Sequence, residues 1–515
     1  MRHEMEQLIL NDYLTALAQE ALLLDASALP AELLGRMIDH LSCDTRDMRP
    51  NTLFVCKGAH FRPEYALQAA EQGAVAYISR VDYGAPIPAI LVKDERAAMA
   101  LLARLFYGSP ADLLTTVGVT GTKGKSTTVY YLKAILDAYL GKECAVLSSI
   151  DNYDGVIREE SHLTTPEPIM LHRHFRNALD SGISHLVMEV SSQALKYGRV
   201  AGVTFSVGVF HNIGLDHISP IEHPDFEDYL AAKTEIFSHC RIACINLDQD
   251  IAPSLIEQAR EKGCEVVTYG EGEGATLRGS EVSRTEQGGY RFLVTTDRGE
   301  RQWMELGMPG RFNVSNALAA VASLWVLDIP LSACAEGLAT ARVSGRMEVF
   351  TSADRRISVL VDYAHNEMSF HALFDSVELE YPGRKRIAVF GCPGKKAFLR
   401  REDLGRISGE RGDYVIVTEE DSGEEPFKSI AADIVRPIER ANCPYSVNED
   451  RGQAIREAIL EHGRDKVILL TGKGRETRMK RGLAYIDTPS DVDYTLQYLA
   501  EYDALVEAEK VGGHT

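Results

Sequence analysis

The chain has 515 residues, too many for one hydrophobic core, and at about 150 residues per domain it is expected to form about three domains. Its 55 Lys and Arg against 75 Asp and Glu leave a formal charge of −20, which repels nucleic-acid backbone and anionic membrane and excludes both as partners. Nine scattered cysteines without a CxxC pair indicate neither a disulfide framework nor a thiolate zinc site.

In chain order, "MRHEMEQLILNDYLTALAQE" is charged and amphipathic and lacks the apolar run of a signal peptide, and no later stretch is apolar over a membrane's width. The protein reads as soluble and cytoplasmic. The segment "CDTRDMRPNTLFVCKGAHFRPEYALQAAEQGAVAYIS" alternates strands and a helix but carries no phosphate loop. A Gly-Ser-Pro turn in "YGSPADLLTT" marks a first boundary and "TARVSGRMEVF" a second, giving expected units of 1–112, 113–342 and 343–515.

A buried strand is predicted over Leu113 to Val119, followed by "GVTGTKGKSTTVYYLKAIL", whose Val129, Leu132, Ile135 and Leu136 fall on one helical stripe. Strand, glycine turn and helix start together form a phosphate loop, although Gly118 sits one residue early for the usual GxxxxGK[ST] spacing. Gly121 and Gly124 let the backbone approach phosphate oxygens, Lys125 pairs with the outer phosphates, and the Ser126 hydroxyl takes Mg2+. From here on, "LLTTVGV", "HLVMEV", "FSVGVF", "RIACIN", "ISVLVDY", "RKRIAVF", "DYVIVT" and "KVILL" read as buried strands between amphipathic helices, the pattern of α/β units with parallel sheets. Nearly every run is followed at once by glycine or ionisable residues, as expected where ligands bind at the carboxyl edge of an open sheet.

Glu189 ends one strand in "MEVSSQAL", His217 follows the next in "HNIGLDHISP", and Lys233 lies on a helix in "HPDFEDYLAAKTEIF". Singly, each is an ordinary solvated side chain. In this order behind Gly118-x-Thr120-Gly121-Thr122-Lys123-Gly124-Lys125-Ser126-Thr127, they resemble the Mur ligases, ATP-dependent amide-bond synthetases of peptidoglycan precursors. The resemblance implies an α/β, three-domain Mur ligase architecture with a central P-loop parallel-sheet ATPase domain and a Rossmann-like C-terminal domain. It also implies ATP and Mg2+, with Ser126, Glu189 and His217 at the metal ions and a CO2-derived carbamate on Lys233. A carbamate is chemically reasonable there, because a bare cation is repelled by metal ions whereas its carbamate is an anion. The stretch between His217 and Lys233 is slightly longer than in familiar members.

Further on, "MPGRFNVSNALAA" supplies Asn316, which the resemblance places at the nucleotide base; "SGRME" and "VDYAHN" supply Arg346 for phosphate and Asp362 for ribose. In the N-terminal unit, Asp44, Thr45, Arg46, Ala59, His60 and Phe61 match the uridine-binding segment of the branch that adds the third residue to UDP-N-acetylmuramoyl-L-alanyl-D-glutamate. Thr164 and Thr165 of "HLTTPEP" and Ser191 and Arg199 of "SSQALKYGRV" match that branch's contacts to the muramoyl dipeptide, while Tyr197 departs from its common glutamine.

Diaminopimelate-adding members carry Asp-Asn-Pro-Arg after the strand that here reads "DYVIVT"; this chain has "EEDSGEEPF", without arginine. Glu419, Glu420, Asp421, Glu424 and Glu425 favour a distal ammonium over a second carboxylate, so L-lysine is the expected amino acid. Arg401, Arg475 and Arg478 keep meso-diaminopimelate open, and Gly472 and Glu476 match residues that hold the amino acid's amine. The implied reaction is amide formation through an acyl phosphate, by a chain expected to act as a monomer. Another Mur-type amide ligase and an inactive ATP-binding scaffold are the alternatives; Lys125, Glu189, His217 and Lys233 argue against the scaffold.

Overall fold

A computed structural model describes residues 8–58, 61–161, 163–215, 218, 222–396 and 398–512. Among these, the strands assemble into three large sheets and one two-stranded ribbon. The first sheet runs in the order Leu23–Asp25, Ala89–Val92, Ala74–Ser79, Thr52–Val55, His40–Ser42, parallel except at its first pair. Helix Leu10–Gln19 closes its core with Leu10, Tyr13, Leu14 and Leu17, residues at the three- and four-residue spacing that puts them on one face.

The second sheet has eleven strands, and its middle is parallel: Glu265–Gly270, Cys240–Asn246, Phe205–Phe210, Thr115–Thr120, His185–Glu189 and Ala145–Leu147. Buried on both faces, these strands read as continuous apolar runs. The phosphate-loop strand starts at Thr115 rather than at the predicted Leu113, because Ser109 takes a left-handed φ of 49° and Pro110–Leu113 coil into a short 3-10 turn. Leu277–Arg284, Tyr290–Thr296 and Arg301–Leu306 extend one edge, with antiparallel pairing among the three, and Asp151–Tyr153 with Arg158–Glu160 extend the other. None of these five stands out as a continuous apolar run; in Leu277–Arg284, for example, buried and more exposed positions alternate before the strand ends in solvent.

The third sheet is ordered Glu348–Thr351, Ile357–Asp362, Lys466–Thr471, Lys385–Phe390, Tyr414–Val417, Tyr445–Val447, parallel beyond its first strand. All eight runs read as strands from sequence are strands. The sheets are bridged at specific points. Lys57 pairs with Glu167 at 2.7 Å and the Arg96 guanidinium lies 4.2 Å from the centre of the Tyr197 ring, joining the first unit to the second. Glu380, at the end of helix Glu367–Glu380, accepts from the Tyr290 hydroxyl at 3.0 Å and the Gly310 amide at 2.8 Å, joining the third unit to the second. No described helix is long and apolar enough to cross a membrane.

Candidate active site

Strand Thr115–Thr120 ends in a loop whose last residue, Gly124, has φ +84° and precedes helix Lys125–Leu140. A Cβ on Gly124 would fall 2.2 Å from Asn316 Oδ1 and 2.6 Å from the His211 ring, so only glycine fits between the loop and the wall behind it. Asn316 thus backs the loop, and its amide donates to Asn313 Oδ1 at 2.9 Å. His211 is buried, stacks on Tyr269 and shares a 2.6 Å hydrogen bond with its hydroxyl; burial pushes the imidazole pKa down to about 4. The loop is also clamped by Asn212, which accepts from the Lys123 amide at 2.9 Å and donates to its carbonyl at 3.0 Å.

Ser126, in the first helical turn, lies 3.1 Å from Ser149 Oγ. Ser149 in turn donates to Glu189 Oε1 from its amide at 2.8 Å and its hydroxyl at 2.9 Å. No local motif marks Ser149; it arrives just after the short strand Ala145–Leu147, which lies beside the strand of Glu189. Hydroxyl and carboxylate oxygens form a donor set suited to a hard divalent cation. Among the described residues no three His, Cys, Asp or Glu side chains cluster, and His217 lies outside the described residues. Lys233 is 2% exposed and donates to the Gly121 carbonyl at 2.9 Å, the same oxygen that Lys125 reaches at 2.9 Å. Thr122 meets the Tyr229 hydroxyl at 3.2 Å, and Thr120 is buried with no partner for its hydroxyl among the described residues.

The opposite wall comes from the third sheet. Arg346 donates to Ser126 Oγ at 3.3 Å and its guanidinium sits 4.6 Å from the Tyr363 ring centre. Asp362 ends its strand and accepts from the Met347 and Ala364 amides, both at 2.8 Å; desolvation pushes its carboxyl above the ordinary value, against the pull of Arg346. Lys123 meets His365 at 3.2 Å across the gap. Between these walls lies a cavity of about 490 Å³ lined by Lys125, Ser126, Thr127, Glu189, Arg346 and Asp362, within the range of small-ligand sites. Backbone amides at a helix N-terminus, two basic side chains and room for a nucleotide fit a triphosphate.

The residues expected at the muramoyl substrate are more dispersed. Asp44 and Arg46 pair with each other at 2.6 Å on the surface, Thr45 between them is half-buried, and Ala59 and His60 lie outside the described residues. Phe61 packs 5.1 Å from Tyr83, ring centre to ring centre. Thr164 reaches the cavity, whereas Thr165 is buried, donates to the Glu189 carbonyl at 2.9 Å and accepts from the Ser191 amide at 3.0 Å. Ser191 caps helix Ser192–Lys196 by accepting from the Ala194 amide at 3.1 Å. Arg199 donates to the Thr165 carbonyl at 3.2 Å and pairs with Glu167 at 3.0 Å.

At the carboxyl edge of the third sheet the acidic segment is largely engaged. Glu419 holds Arg481 at 2.6 Å, Asp421 holds Lys473 at 3.1 Å, and Glu424 holds Lys395 at 2.9 Å. Glu425 forms a two-pronged pair with Arg401 at 2.7 and 2.8 Å, and this guanidinium pulls its pKa down to about 2. Arg401 is therefore buried in its own pair, 2% exposed, rather than facing the cleft. Arg475 forks onto Glu348 at 2.6 Å and Arg478 lies 3.7 Å from Glu160. Glu420 differs: it makes no hydrogen bond or ion pair with a described residue, and burial raises it to about 7 despite Arg451, Arg400 and Lys473 nearby. Its Oε2 occupies the space a Cβ on Gly472 would need, at 2.2 Å, where φ is +100°. Glu476 accepts from the Tyr363 hydroxyl at 2.6 Å and from Lys473 at 2.5 Å.

Residues 119–324 match the family model for the Mur ligase middle domain, and residues 345–474 match that for the Mur ligase, glutamate ligase domain. The chain is 36% identical over 493 residues to a UDP-N-acetylmuramyl-tripeptide synthetase of Lactobacillus delbrueckii subsp. bulgaricus, covering 91% of this chain and 94% of the relative. It is 37% identical over 467 residues to a UDP-N-acetylmuramoyl-L-alanyl-D-glutamate–L-lysine ligase of Enterococcus faecalis, covering 90% and 91%. Among solved structures, a UDP-N-acetylmuramoyl-L-alanyl-D-glutamate–2,6-diaminopimelate ligase superposes with a TM-score of 0.64 at 22% identity, covering 92% of this chain and 97% of that one. A Thermotoga maritima MurF ligase in complex with ADP superposes with a TM-score of 0.62 at 19% identity, covering 90% and 97%.

Proposed function

The chain belongs to the Mur ligase family, and on that premise we propose that it is an ATP-dependent ligase joining L-lysine to UDP-N-acetylmuramoyl-L-alanyl-D-glutamate. The reading rests on one observation: a single cleft gathers Lys125, Ser126 and Glu189 from the second sheet and Arg346 and Asp362 from the third. The γ-phosphoryl group of ATP passes to the free D-glutamate carboxylate, and the lysine amine attacks the resulting acyl phosphate, releasing phosphate as the amide forms. Lys125 and Arg346 offset the charge that gathers on the transferring group, and Asp362 receives the ribose hydroxyls. Ser126, Ser149 and Glu189 would hold Mg2+, with His217 as the further ligand that the family resemblance implies, and the ion would offset the repulsion between carboxylate and triphosphate. A carbamate on Lys233 would present an anion rather than a cation to the metal. The third unit brings the amino acid over the acyl phosphate and excludes water.

Two features support lysine. Arg401, Arg475 and Arg478 each have a carboxylate within ion-pair distance, so none is left over for a distal carboxylate. Glu420, by contrast, has no such partner among the described residues and can receive a distal ammonium. The relative in Enterococcus faecalis named for L-lysine is consistent with this choice. Phosphate release is to be measured with UDP-muramoyl dipeptide and equal concentrations of L-lysine and meso-diaminopimelate, the tripeptide being identified by mass. Dipeptide-dependent release with a lysine product is expected, at least about a hundredfold over diaminopimelate in kcat/KM, or about 2.7 kcal/mol. A dominant diaminopimelate product refutes the lysine assignment, and no dipeptide-dependent release refutes the ligase reading.

A further inference from the structure

Three residues outside the nucleotide cleft form a chain of hydrogen bonds that is buried at His223 and Ser192 and reaches the surface at Asp228. His223 Nδ1 lies 2.6 Å from Asp228 Oδ2, and His223 Nε2 lies 2.9 Å from Ser192 Oγ. The three types match a nucleophilic triad, but the burial does not: His223 is 0% and Ser192 5% exposed, so no acyl substrate reaches the serine. What the chain does join is two short helices. Ser192 begins helix Ser192–Lys196, directly after Ser191, and Asp228 lies on helix Phe226–Thr234, which also carries Lys233. Lys196, at the far end of the first helix, also reaches Asp228 Oδ2 at 2.6 Å, so both ends of the first helix are tied to the first turn of the second.

We infer that His223 is a positioning residue for the ligase reaction, fixing Ser191 at the muramoyl dipeptide relative to Lys233 at the phosphoryl group. The inference rests on the substrate reading proposed above. In the Nδ1–H tautomer, the ring donates to Asp228 and Nε2 accepts the Ser192 hydroxyl proton. This anchors the helix start. Ser191 Oγ already accepts from the Ala194 amide, and the Ser191 amide already donates to Thr165, so the Ser191 hydroxyl proton remains to donate to a substrate oxygen. The His223 ring also packs 5.0 Å from Tyr229, whose hydroxyl meets Thr122 of the phosphate loop and whose ring lies 4.6 Å from Lys233 Nζ. A shift at His223 therefore moves the substrate helix while the phosphate loop keeps its own clamps at Asn212.

The test uses the full-length protein with ATP, L-lysine and UDP-muramoyl dipeptide, and reads kcat and the KM of each substrate separately. His223→Phe is expected to raise the KM for the dipeptide about tenfold and to leave the KM for ATP within about twofold. His223→Gln, whose carboxamide can donate to Asp228 and accept from Ser192, should recover most of the loss. Ser192→Ala removes one hydroxyl, is the variant that keeps the test alive if His223→Phe does not fold, and should shift the same KM in the same direction. A uniform rise in both KM values, or a lowered Tm with every kinetic constant unchanged, overturns the inference. Wild-type protein that releases no phosphate with the dipeptide overturns the functional reading instead, and the inference with it.

Discussion

The ammonium groups of Lys125 and Lys233 converge on one acceptor: each donates to the carbonyl oxygen of Gly121 at 2.9 Å. Two like charges at one carbonyl repel, and Lys233 is buried, which adds the cost of desolvation. In the proposed function a triphosphate would draw Lys125 outward, and a carbamate on Lys233 would replace repulsion by attraction. On the proposed function the two lysines, alike in sequence, would carry opposite charges during turnover.

Lys125→Ala should stay folded and lose at least about a hundredfold in amide formation, about 2.7 kcal/mol of transition-state stabilisation. Lys233→Ala should be nearly inactive and recover in part with short carboxylates such as acetate or formate. Phosphate release with and without added carboxylate checks both; rescue of the Lys125 variant rather than the Lys233 variant would reverse the two roles.

Gly124→Ala places a methyl group on Asn316 and His211 at a φ of +84°. Nucleotide binding should weaken at least tenfold, about 1.4 kcal/mol, with the rest of the protein intact. Calorimetric titration with ADP measures it, and an unchanged Kd would show that the loop yields more easily than its packing indicates.

Glu420 is raised to about 7, and its neutral form is the one that burial favours. Stability from this group is full below the ordinary carboxylate value and is lost as pH rises through about 7. Lysine binding runs the other way, since a distal ammonium needs the ionised form. The Kd for L-lysine should therefore be about tenfold weaker at pH 6 than at pH 8. Glu420→Gln should remove that dependence and weaken lysine binding more than Asp421→Asn does, because Asp421 is already held by Lys473 at 3.1 Å and the Lys480 amide at 2.9 Å.

Arg451 and Asp491 form a buried pair at 2.6 and 2.7 Å, and Arg451 also donates to the Thr471 carbonyl at 2.7 Å. Asp491→Ala leaves that guanidinium without its charge partner, so the third unit should lose about 3–5 kcal/mol. Denaturant unfolding of the variant against wild type measures the difference.

The phosphate loop and the eight buried strands were legible in the sequence because their signals are local: a glycine spacing, and apolar runs long enough to be buried on both faces. Ser149 was not, since its place beside Ser126 and Glu189 is set by the pairing of two strands about 40 residues apart in the chain. The acidic segment was legible as charge but not as recognition. Which of its five carboxylates is left without a partner among the described residues depends on Lys395, Arg401, Lys473 and Arg481, and those partners come together only in the fold. The edge strands carry no such signal: Leu277–Arg284 alternates buried and more exposed positions, and Arg158–Glu160 is exposed throughout.

The cleft walls belong to different sheets, and among the described residues Arg346 to Ser126 and Lys123 to His365 span them. A bound nucleotide thus serves as a removable tie between the second and third units, beside the apolar core that the two already share. Its binding energy enters their melting only while both are folded, about 2.7 kcal/mol at a hundredfold excess over Kd. In a scanning calorimeter the two units should then melt closer together when nucleotide is saturating and drift apart when it is withdrawn, so that cooperativity between domains becomes a property of the substrate supply.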